Sequence, residues 1–253
     1  MHFSSPLVRG VLIKRYKRFL ADVRLEDGAE VTAHCPNSGA MLGLVVPGTT
    51  VWLRPREAKT GLAWSWELAE VNGTLVGVNT QTPNRLVREA LAMRAVPEVA
   101  AYPHWQAEYP LGDSRIDFYL HGGDAPPCLL EVKNAHVVRT PGLLEFPDSV
   151  TARGAKHLHA LTAAVGHGMR AILVYVGQRS DVDRFAVAAD LDPVYAKAHR
   201  AAIDAGVEVV CYRCALDVEA GINLLDCLSL SHRSGYQGAP LPPSRKPELL
   251  PSS

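Results

Sequence analysis

Short segments in which apolar and polar residues alternate fill the first third of the chain. They predict strands over residues 10–16, 19–25, 30–34, 49–54, 64–68 and 74–78. The pairs Asp27-Gly28 and Asn72-Gly73, which fall between such segments, are typical of hairpin turns. Short strands joined by turns at this regular spacing indicate a small barrel or sandwich over residues 1–82.

The pattern changes at Thr82-Pro83-Asn84, where helical and strand-like segments begin to alternate. Helices are predicted over 85–95, 149–165 and 193–205, with Asn84 and Asp148 as N-caps of the first two. Strands are predicted over 105–109, 115–120, 128–133, 171–176 and 207–212. This order predicts a mixed sheet flanked by helices over residues 83–228, in the α+β or α/β class. Residues 229–253 are rich in Ser and Pro and are predicted to form a flexible tail.

Composition and charge narrow the class of protein. Of the 253 residues 47% are hydrophobic, which excludes a chain that is disordered throughout. Lys and Arg number 26, as do Asp and Glu, so a basic surface has to be local. The apolar run at 171–176 is far shorter than the roughly 20 residues that a membrane-spanning helix needs. The five cysteines form no dense disulfide framework, which fits reduced thiols in the cytoplasm. The sequence therefore predicts a cytoplasmic protein without a membrane span.

Two acidic residues fall on neighbouring strands in the middle of the predicted sheet. If the loop at 121–127 closes a symmetric hairpin, the numbers of paired residues sum to 248 and Asp117 lies opposite Glu131. Alternation along the first of these strands places Ile116 and Phe118 together on the other face from Asp117. A β-bulge in the hairpin would change this register.

Two carboxylates at a cross-strand position repel each other, and a bound divalent cation is the simplest way to neutralise them. Mg²⁺ or Mn²⁺ is the expected ion, because such cations bind carboxylate and phosphate oxygens. Lys133 shares a face with Glu131, where its amino group could orient an attacking water or stabilise developing charge. Glu89, on the preceding helix, is a candidate for a further carboxylate. An ordinary surface ion-pair cluster of Asp117, Glu131 and Lys133 has the same spacing, so both interpretations stay open.

Asp117 and the string Glu131-Val-Lys133, in this order of elements, resemble the PD-(D/E)xK nuclease superfamily, which has the restriction-endonuclease-like fold. Ile116 departs from the superfamily pattern, which has a proline before the aspartate. Longer strings resemble a much narrower family, the sugar fermentation stimulation protein A (SfsA) family, over residues 14–22, 34–41, 84–86, 114–118, 131–133 and 146–158. The resemblance implies an N-terminal OB-like β-barrel, a nuclease-like domain, DNA binding, and a part in regulating sugar, notably maltose, metabolism.

Basic residues with interleaved aromatic side chains occupy the first predicted hairpin of the barrel. An OB-type barrel binds nucleic acid through backbone electrostatics and base stacking on aromatic rings. The candidate nucleic-acid-binding residues here are Lys14, Arg15, Tyr16, Lys17 and Arg18. A solvated barrel rim is the alternative interpretation.

A second basic surface is predicted on the helix that follows the Glu131-Val-Lys133 strand. Arg153, Lys156 and His157 are three and four residues apart, which puts them on one helical face. Such a face could meet a phosphate beside the metal ion, or it could simply face the solvent.

These residues favour a DNA-binding protein of low sequence specificity, because phosphate contacts carry no sequence information. The alternative is a Mg²⁺- or Mn²⁺-dependent DNA nuclease that uses Asp117, Glu131, Lys133 and Glu89. A metabolite-sensing or protein-interaction module on the barrel is a third class. A homo-oligomer is compatible with the sequence but is not indicated by it.

Overall fold

The computed structural model describes residues 1–57, 61–112 and 114–230. Its first part holds six strands, which are β1 (Val8–Tyr16), β2 (Leu20–Leu25), β3 (Glu30–His34), β4 (Thr50–Pro55), β5 (Trp64–Val71) and β6 (Thr74–Gly77). They pair in the order β3-β2-β1-β4-β5-β6, and β3 also pairs with β5. This extra pairing closes β1 to β5 into a barrel, as the regular strand spacing predicts.

Alternate apolar side chains of these strands fill the inside of the barrel. Leu12, Val23, Leu53 and Trp66 are almost completely buried there. Gly10 lets β1 and β2 approach closely, because a Cβ at this position would collide with the Val23 side chain. Burial of each such side chain stabilises the folded protein by about 1.5–3 kcal/mol. The packed barrel therefore holds the loops at its ends in place.

The second part combines three helices with two sheets. The helices are α1 (Thr82–Ala92), α2 (Ala152–Gly166) and α3 (Pro193–Asp204), and Pro97–Val99 form a short 3₁₀ turn. The strands are β7 (His104–Leu111), β8 (Ser114–His121), β9 (Cys128–Ala135), β10 (Val137–Thr140), β11 (Gly142–Phe146), β12 (Arg170–Gly177), β13 (Val182–Val187), β14 (Glu208–Asp217), β15 (Gly221–Cys227) and β16 (Ser229–Leu230).

The larger sheet has the order β15-β14-β12-β9-β8-β7, and the smaller one has the order β10-β11-β13-β16. Strands β9, β12 and β14 run parallel, while β8 and β15 run antiparallel to their neighbours, so the predicted mixed sheet is confirmed. Helix α1 packs on one face of the larger sheet, and α2 and α3 pack on the other. In the part of the chain that the structure describes, none of these helices is long and apolar enough to cross a bilayer.

Two predicted helix starts and one predicted boundary are wrong. Asn84 is not the N-cap of α1, because the helix begins at Thr82, where Pro83 lies in the first turn. Asp148 is not the N-cap of α2, because the side chain of Thr151 accepts the capping hydrogen bond from Gly154 N–H. Ser229–Leu230 form β16, so the ordered chain continues past the predicted start of the tail. The rest of that predicted tail, residues 231–253, lies outside the described residues.

The hairpin of β8 and β9 has the predicted register. Leu120 pairs with Cys128 and Phe118 with Leu130, so the residue numbers sum to 248. Below Phe118 the regular alternation stops: Ile116 packs in the core under α2 and α3, whereas Phe118 packs in the core under α1. The predicted shared face of Ile116 and Phe118 is therefore wrong. The interruption lies beside Glu108 of β7, which has a left-handed backbone with φ of 55°.

Buried polar contacts join the barrel to the second part. Gln178, which follows β12 and is fully buried, donates from Nε2 to Asn79 O and to Asn134 Oδ1. Its own backbone carbonyl accepts a 2.8 Å hydrogen bond from Gly77 N–H. A Cβ at Gly77 would overlap the Gln178 side chain, so this glycine is what allows the close approach.

Candidate metal and nucleic-acid site

A polar cleft of about 650 Å³ opens between the barrel and the larger sheet. The barrel contributes Arg18 and the loop at 37–39 to one wall, and residues 146–151 form the wall beyond them. The predicted site residues from β8, β9 and α2 that line it are Asp117, Glu131, Lys133, Arg153 and His157. The cleft therefore brings together the acidic pair, its lysine and basic side chains from both parts of the chain.

The Asp117 carboxylate lies where β8 and β9 separate. Its Oδ2 accepts a 2.7 Å hydrogen bond from Val132 N–H, and its Oδ1 accepts one of 2.6 Å from Asn84 Nδ2. Its own N–H donates weakly, over 3.4 Å, to Glu131 Oε2. The two acidic residues are thus neighbours across the strands. At Val132 the backbone N–H is paired with the Asp117 side chain and not with a backbone carbonyl of β8.

Glu131 is buried, with 2% of its side chain exposed, and its Oε1 is shared by two partners. Lys133 Nζ donates to this oxygen over 2.7 Å, which agrees with the predicted common face. His157 Nδ1 contacts the same oxygen from α2 and also lies 3.5 Å from Lys133 Nζ. Glu131, Lys133 and His157 therefore form one buried polar cluster at the floor of the cleft.

Burial and the nearby negative charge of Glu131 raise the pKa of Asp117 from 3.8 to about 6, despite its hydrogen bonds. Burial also acts to raise the pKa of Glu131, but His157 and Lys133 outweigh it, so that pKa lies below its usual value. Keeping both carboxylates charged therefore costs free energy at neutral pH. Positive charge supplied next to Asp117 would remove this cost.

The donor chemistry of the pair fits a hard divalent cation. Two carboxylates with free lone pairs face a cleft that water and phosphate oxygens can enter, which is how Mg²⁺ is commonly held. Within residues 1–57, 61–112 and 114–230, no group of three or more His, Cys, Asp or Glu side chains is arranged around a metal position. A cation at Asp117 and Glu131 would need further oxygen ligands besides these two carboxylates.

The predicted nucleic-acid residues of the barrel have different environments. Arg18 lines the cleft, and Lys17 is exposed next to it in the turn between β1 and β2. Arg15 points inward, donating to the carbonyl oxygens of Arg18, Asn37 and Gly39 over 3.0, 2.8 and 2.9 Å. Arg15 thus braces the cleft wall, which its position on an alternating strand does not reveal.

Lys14 and Tyr16 share a partner on β2. Tyr16 Oη donates to Asp22 Oδ1 over 3.1 Å, and Lys14 Nζ lies 3.5 Å from Asp22 Oδ2. Lys14 Nζ also lies 5.4 Å from the centre of the Tyr16 ring. Neither residue lines the cleft, so the structure places this pair on the flank of the barrel.

The remaining predicted residues divide between the cleft and its surroundings. Arg153 is exposed at the cleft rim and donates to His157 Nε2 over 3.4 Å. His157 itself is buried. Lys156 is exposed but does not line the cleft. Glu89 lies 3.0 Å from the amino group of Met1, and the structure does not bring it to the cleft. Helix α1, which carries Glu89, instead contributes the side chain of Asn84, which hydrogen-bonds to Asp117.

Asp148 is a site residue that sequence reasoning missed. Its Oδ2 accepts a 2.8 Å hydrogen bond from Met41 N–H, and it lies 3.5 Å from His136 Nε2. Burial opposes ionisation, but His136 and the Met41 N–H lower the pKa of Asp148 to about 2. A Cβ at Gly39 would overlap this carboxylate. Asp148 therefore clamps the barrel loop onto the second part and forms the cleft wall.

Two family models divide the chain where the structure does. The SfsA N-terminal OB domain matches residues 13–78, and the sugar fermentation stimulation protein RE domain matches residues 81–220. The chain belongs to the SfsA family. The family and the OB-type barrel that the sequence motifs suggest are therefore confirmed.

Other SfsA-family proteins resemble the chain over most of its length. Sugar fermentation stimulation protein homologs from Azorhizobium caulinodans and Paramagnetospirillum magneticum are 51% and 52% identical over 225 and 226 residues. These matches cover 87% and 88% of this chain and 95% of each relative. The solved structure of SfsA from Pyrococcus furiosus in complex with Ca²⁺ has a TM-score of 0.84 at 22% identity, covering 91% of this chain and 98% of that one. The SfsA fold is thus common to both proteins.

Proposed function

We propose that this SfsA-family protein binds DNA with little sequence preference and holds a divalent cation, Mg²⁺ or Mn²⁺, at Asp117 and Glu131. The observation that carries the proposal is the convergence of both carboxylates and Lys133 on a cleft with basic residues at its rim. The Ca²⁺ in the Pyrococcus furiosus relative supports a divalent cation in this family.

Basic side chains at the cleft rim supply the DNA contacts in this proposal. Arg18 comes from the barrel wall and Arg153 from α2, which follows the wall formed by residues 146–151, and Lys17 is exposed beside Arg18. Guanidinium and ammonium groups bind phosphates, which are the same in every sequence, so the expected binding has low sequence specificity. A phosphate held between these walls would lie above the acidic pair, where a cation shared with Asp117 and Glu131 offsets the repulsion.

The salt dependence of binding tests the DNA contacts. Each phosphate neutralised should lower the logarithm of the affinity for duplex DNA by about 0.9 per log unit of salt. Fluorescence anisotropy titrations over a salt series measure this slope. Arg18→Ala and Arg153→Ala should each reduce its magnitude by about 0.9, the contribution of one phosphate contact. Arg184→Ala, which removes an exposed arginine of β13 outside the cleft, is the matched control. An affinity that does not change with salt would contradict the proposal.

Calorimetric titration with Mn²⁺ tests the metal site. The wild-type protein should bind the ion, and Asp117→Asn should lose that binding because one of its two carboxylate ligands is gone. Asp124→Asn, in the exposed loop between β8 and β9, removes the same charge as Asp117→Asn but should bind Mn²⁺ like the wild type. Equal binding by all three proteins would place the ion elsewhere.

Lys133 favours a second candidate function, a Mg²⁺- or Mn²⁺-dependent DNA nuclease. Its amino group lies 2.7 Å from Glu131 Oε1, within reach of a water or a phosphate oxygen at the acidic pair. A divalent cation bound there supplies positive charge to a phosphate and makes a bound water more acidic. Lys133 would orient the attacking water or stabilise the charge that develops on the phosphate, and His157 would hold Glu131 in place.

Cleavage assays on single-stranded, duplex and branched DNA with Mg²⁺ or Mn²⁺ test this second candidate. Asp117→Asn and Lys133→Met should each abolish cleavage, while Lys133→Met should retain most of the DNA binding. Cleavage at the wild-type rate in either variant would show that the activity does not come from this cleft. Binding without cleavage by the wild type would leave the first function alone.

A regulatory role in sugar metabolism also stays a proposal. It rests on the name of the relatives, sugar fermentation stimulation protein homologs, and on the resemblance from which the maltose link is inferred. A location in the cytoplasm likewise stays a prediction from the sequence, with which a homo-oligomer is compatible.

A further inference from the structure

Phe19 is a large apolar side chain that the barrel leaves open to solvent. It lies in the turn between β1 and β2 with 47% of its surface exposed. Its ring stacks on that of His34 at the end of β3, with 6.4 Å between the ring centres and 16° between the planes. Nearly half of the Phe19 surface thus stays open for a second flat group to pack on.

Positive charge surrounds this pair of rings. Lys17 and Arg18 directly precede Phe19, and both have left-handed backbones, with φ of 48° and 64°. Residues other than glycine rarely adopt this backbone, and the turn they form presents both side chains to the solvent. Burial and the charge of Arg56 lower the pKa of His34, which favours a neutral ring for stacking. A planar, uncharged group attached to an anionic backbone matches these surroundings.

The Phe19 turn is fixed to the wall of the cleft. Arg15 donates to Arg18 O in this turn and to Asn37 O and Gly39 O in the loop that lines the cleft. The carbonyl oxygen of Phe19 also accepts a 2.8 Å hydrogen bond from Cys35 N–H, at the start of that loop. The exposed ring and the cleft are therefore held by one set of hydrogen bonds, with Arg18 between them.

We propose that Phe19, stacked on His34, is a platform for an unpaired base of a DNA strand whose backbone passes Lys17 and Arg18 into the cleft. This inference rests on the proposed function and adds the substrate class, which is DNA with a single-stranded segment beside the bound phosphate. In a duplex the face of each base is covered by its stacked neighbours, so only an unpaired base can lie on the ring. Phe19 is thus a residue that selects DNA structure rather than DNA sequence.

Binding of one oligonucleotide as a single strand and as a duplex tests the platform. The full chain is titrated in EDTA, so that no cleavage interferes, and the strand carries 2-aminopurine as a fluorescent base. Phe19→Ala should weaken single-strand binding about 5- to 150-fold, the usual effect of losing one stacked base. Duplex binding should change less than about 2-fold, because the phosphate contacts stay. Quenching of the 2-aminopurine fluorescence should be seen with the wild type and disappear with the variant.

Two further variants separate stacking from apolar contact and from loss of structure. Phe19→Trp should keep single-strand binding and quenching, whereas Phe19→Leu, which keeps an apolar side chain, should lose both. Val46→Ala removes an exposed apolar side chain elsewhere on the barrel and should bind like the wild type. Equal losses for single strand and duplex in Phe19→Ala, or no loss, would overturn the platform and leave the proposed function standing. Failure of the wild type to bind either form, both in EDTA and with Mg²⁺, would instead overturn the proposed function, and the platform with it.

Discussion

The side-chain amide of Asn84 donates a 2.6 Å hydrogen bond to Oδ1 of Asp117. With Val132 N–H on Oδ2, this contact fixes the plane of the carboxylate at the floor of the cleft. Helix α1 therefore acts on the acidic pair through an amide in its first turn rather than through the carboxylate of Glu89. Residues that hydrogen-bond a metal ligand in this way fix its orientation, and their loss commonly weakens metal binding.

Loss of the Asn84 amide should weaken metal binding without abolishing it. Asn84→Ala should lower the affinity for Mn²⁺ about 10- to 100-fold, the usual range for a residue that orients a ligand. Calorimetric titration gives the comparison, and Arg88→Ala, on an exposed position of the same helix, is the control. An unchanged affinity in Asn84→Ala would show that Val132 alone holds the carboxylate.

Asp117 should make the metal-free protein less stable as the pH rises. The pKa of Asp117 is raised from 3.8 to about 6, so the folded state binds more protons than the unfolded one between these values. The cost is therefore absent below about pH 4 and fully present above about pH 6. In urea titrations with EDTA, Asp117→Asn should be about 1–3 kcal/mol more stable than the wild type at pH 7.

The same variant provides its own internal check. The stability advantage of Asp117→Asn should vanish at pH 4, where the wild-type carboxyl is protonated. The Asn84 amide can rotate to accept a hydrogen bond from the new side chain, so the contact with α1 is kept. Mn²⁺ at pH 7 should stabilise the wild type but not the variant, because only the wild type binds it. An advantage that is independent of pH would contradict the pKa of Asp117.

Asp148 should have the opposite effect in acid. Its pKa is lowered from 3.8 to about 2, so it stabilises the folded protein above pH 4 and loses this effect as the pH falls towards 2. Asp148→Asn should cost about 2 kcal/mol at pH 7 and much less near pH 2. Chemical denaturation at the two pH values measures the difference, with Asp204→Asn at the exposed end of α3 as the control. A cost that persists at low pH would mean that the carboxylate charge is not its source.

Gly39 and Asp148 should be coupled energetically. A Cβ at Gly39 would overlap the Asp148 carboxylate, so Gly39→Ala should destabilise the wild type. In an Asp148→Ala background the carboxylate is gone, and the same change should cost at least about 1 kcal/mol less. Additive effects of the two substitutions would show that the loop relaxes away from the carboxylate without cost.

The sequence is sufficient to predict those features of the site that depend on local periodicity. Alternation along two strands and one loop length predict that Asp117 and Glu131 are neighbours and that Lys133 lies beside Glu131, because strand geometry repeats every two residues. The separation of β8 and β9 at Asp117 is not predictable in the same way. It lies beside the left-handed backbone of Glu108 in a third strand, which the alternation does not encode.

Contacts between distant segments are the part that sequence periodicity misses. Arg15 is on an alternating strand, but its guanidinium is used by a loop 22 and 24 residues further on. Helical spacing groups Lys156 with His157 but does not say which of them faces the sheet, and only His157 is buried against Glu131. Asp148 precedes a helix as an N-cap would, yet its partner lies 107 residues earlier in the chain.

Gly77 lets the Gln178 side chain pack directly against β6 of the barrel. This close contact has a consequence for how the protein can evolve. The cleft has one wall from each half, and the halves meet through buried amides and a carboxylate as well as through apolar contacts of Leu68. A barrel taken from an unrelated protein would lack these partners and leave buried polar groups unsatisfied, which is costly. The barrel is therefore not an exchangeable module, and the two halves are expected to be inherited together as one functional unit.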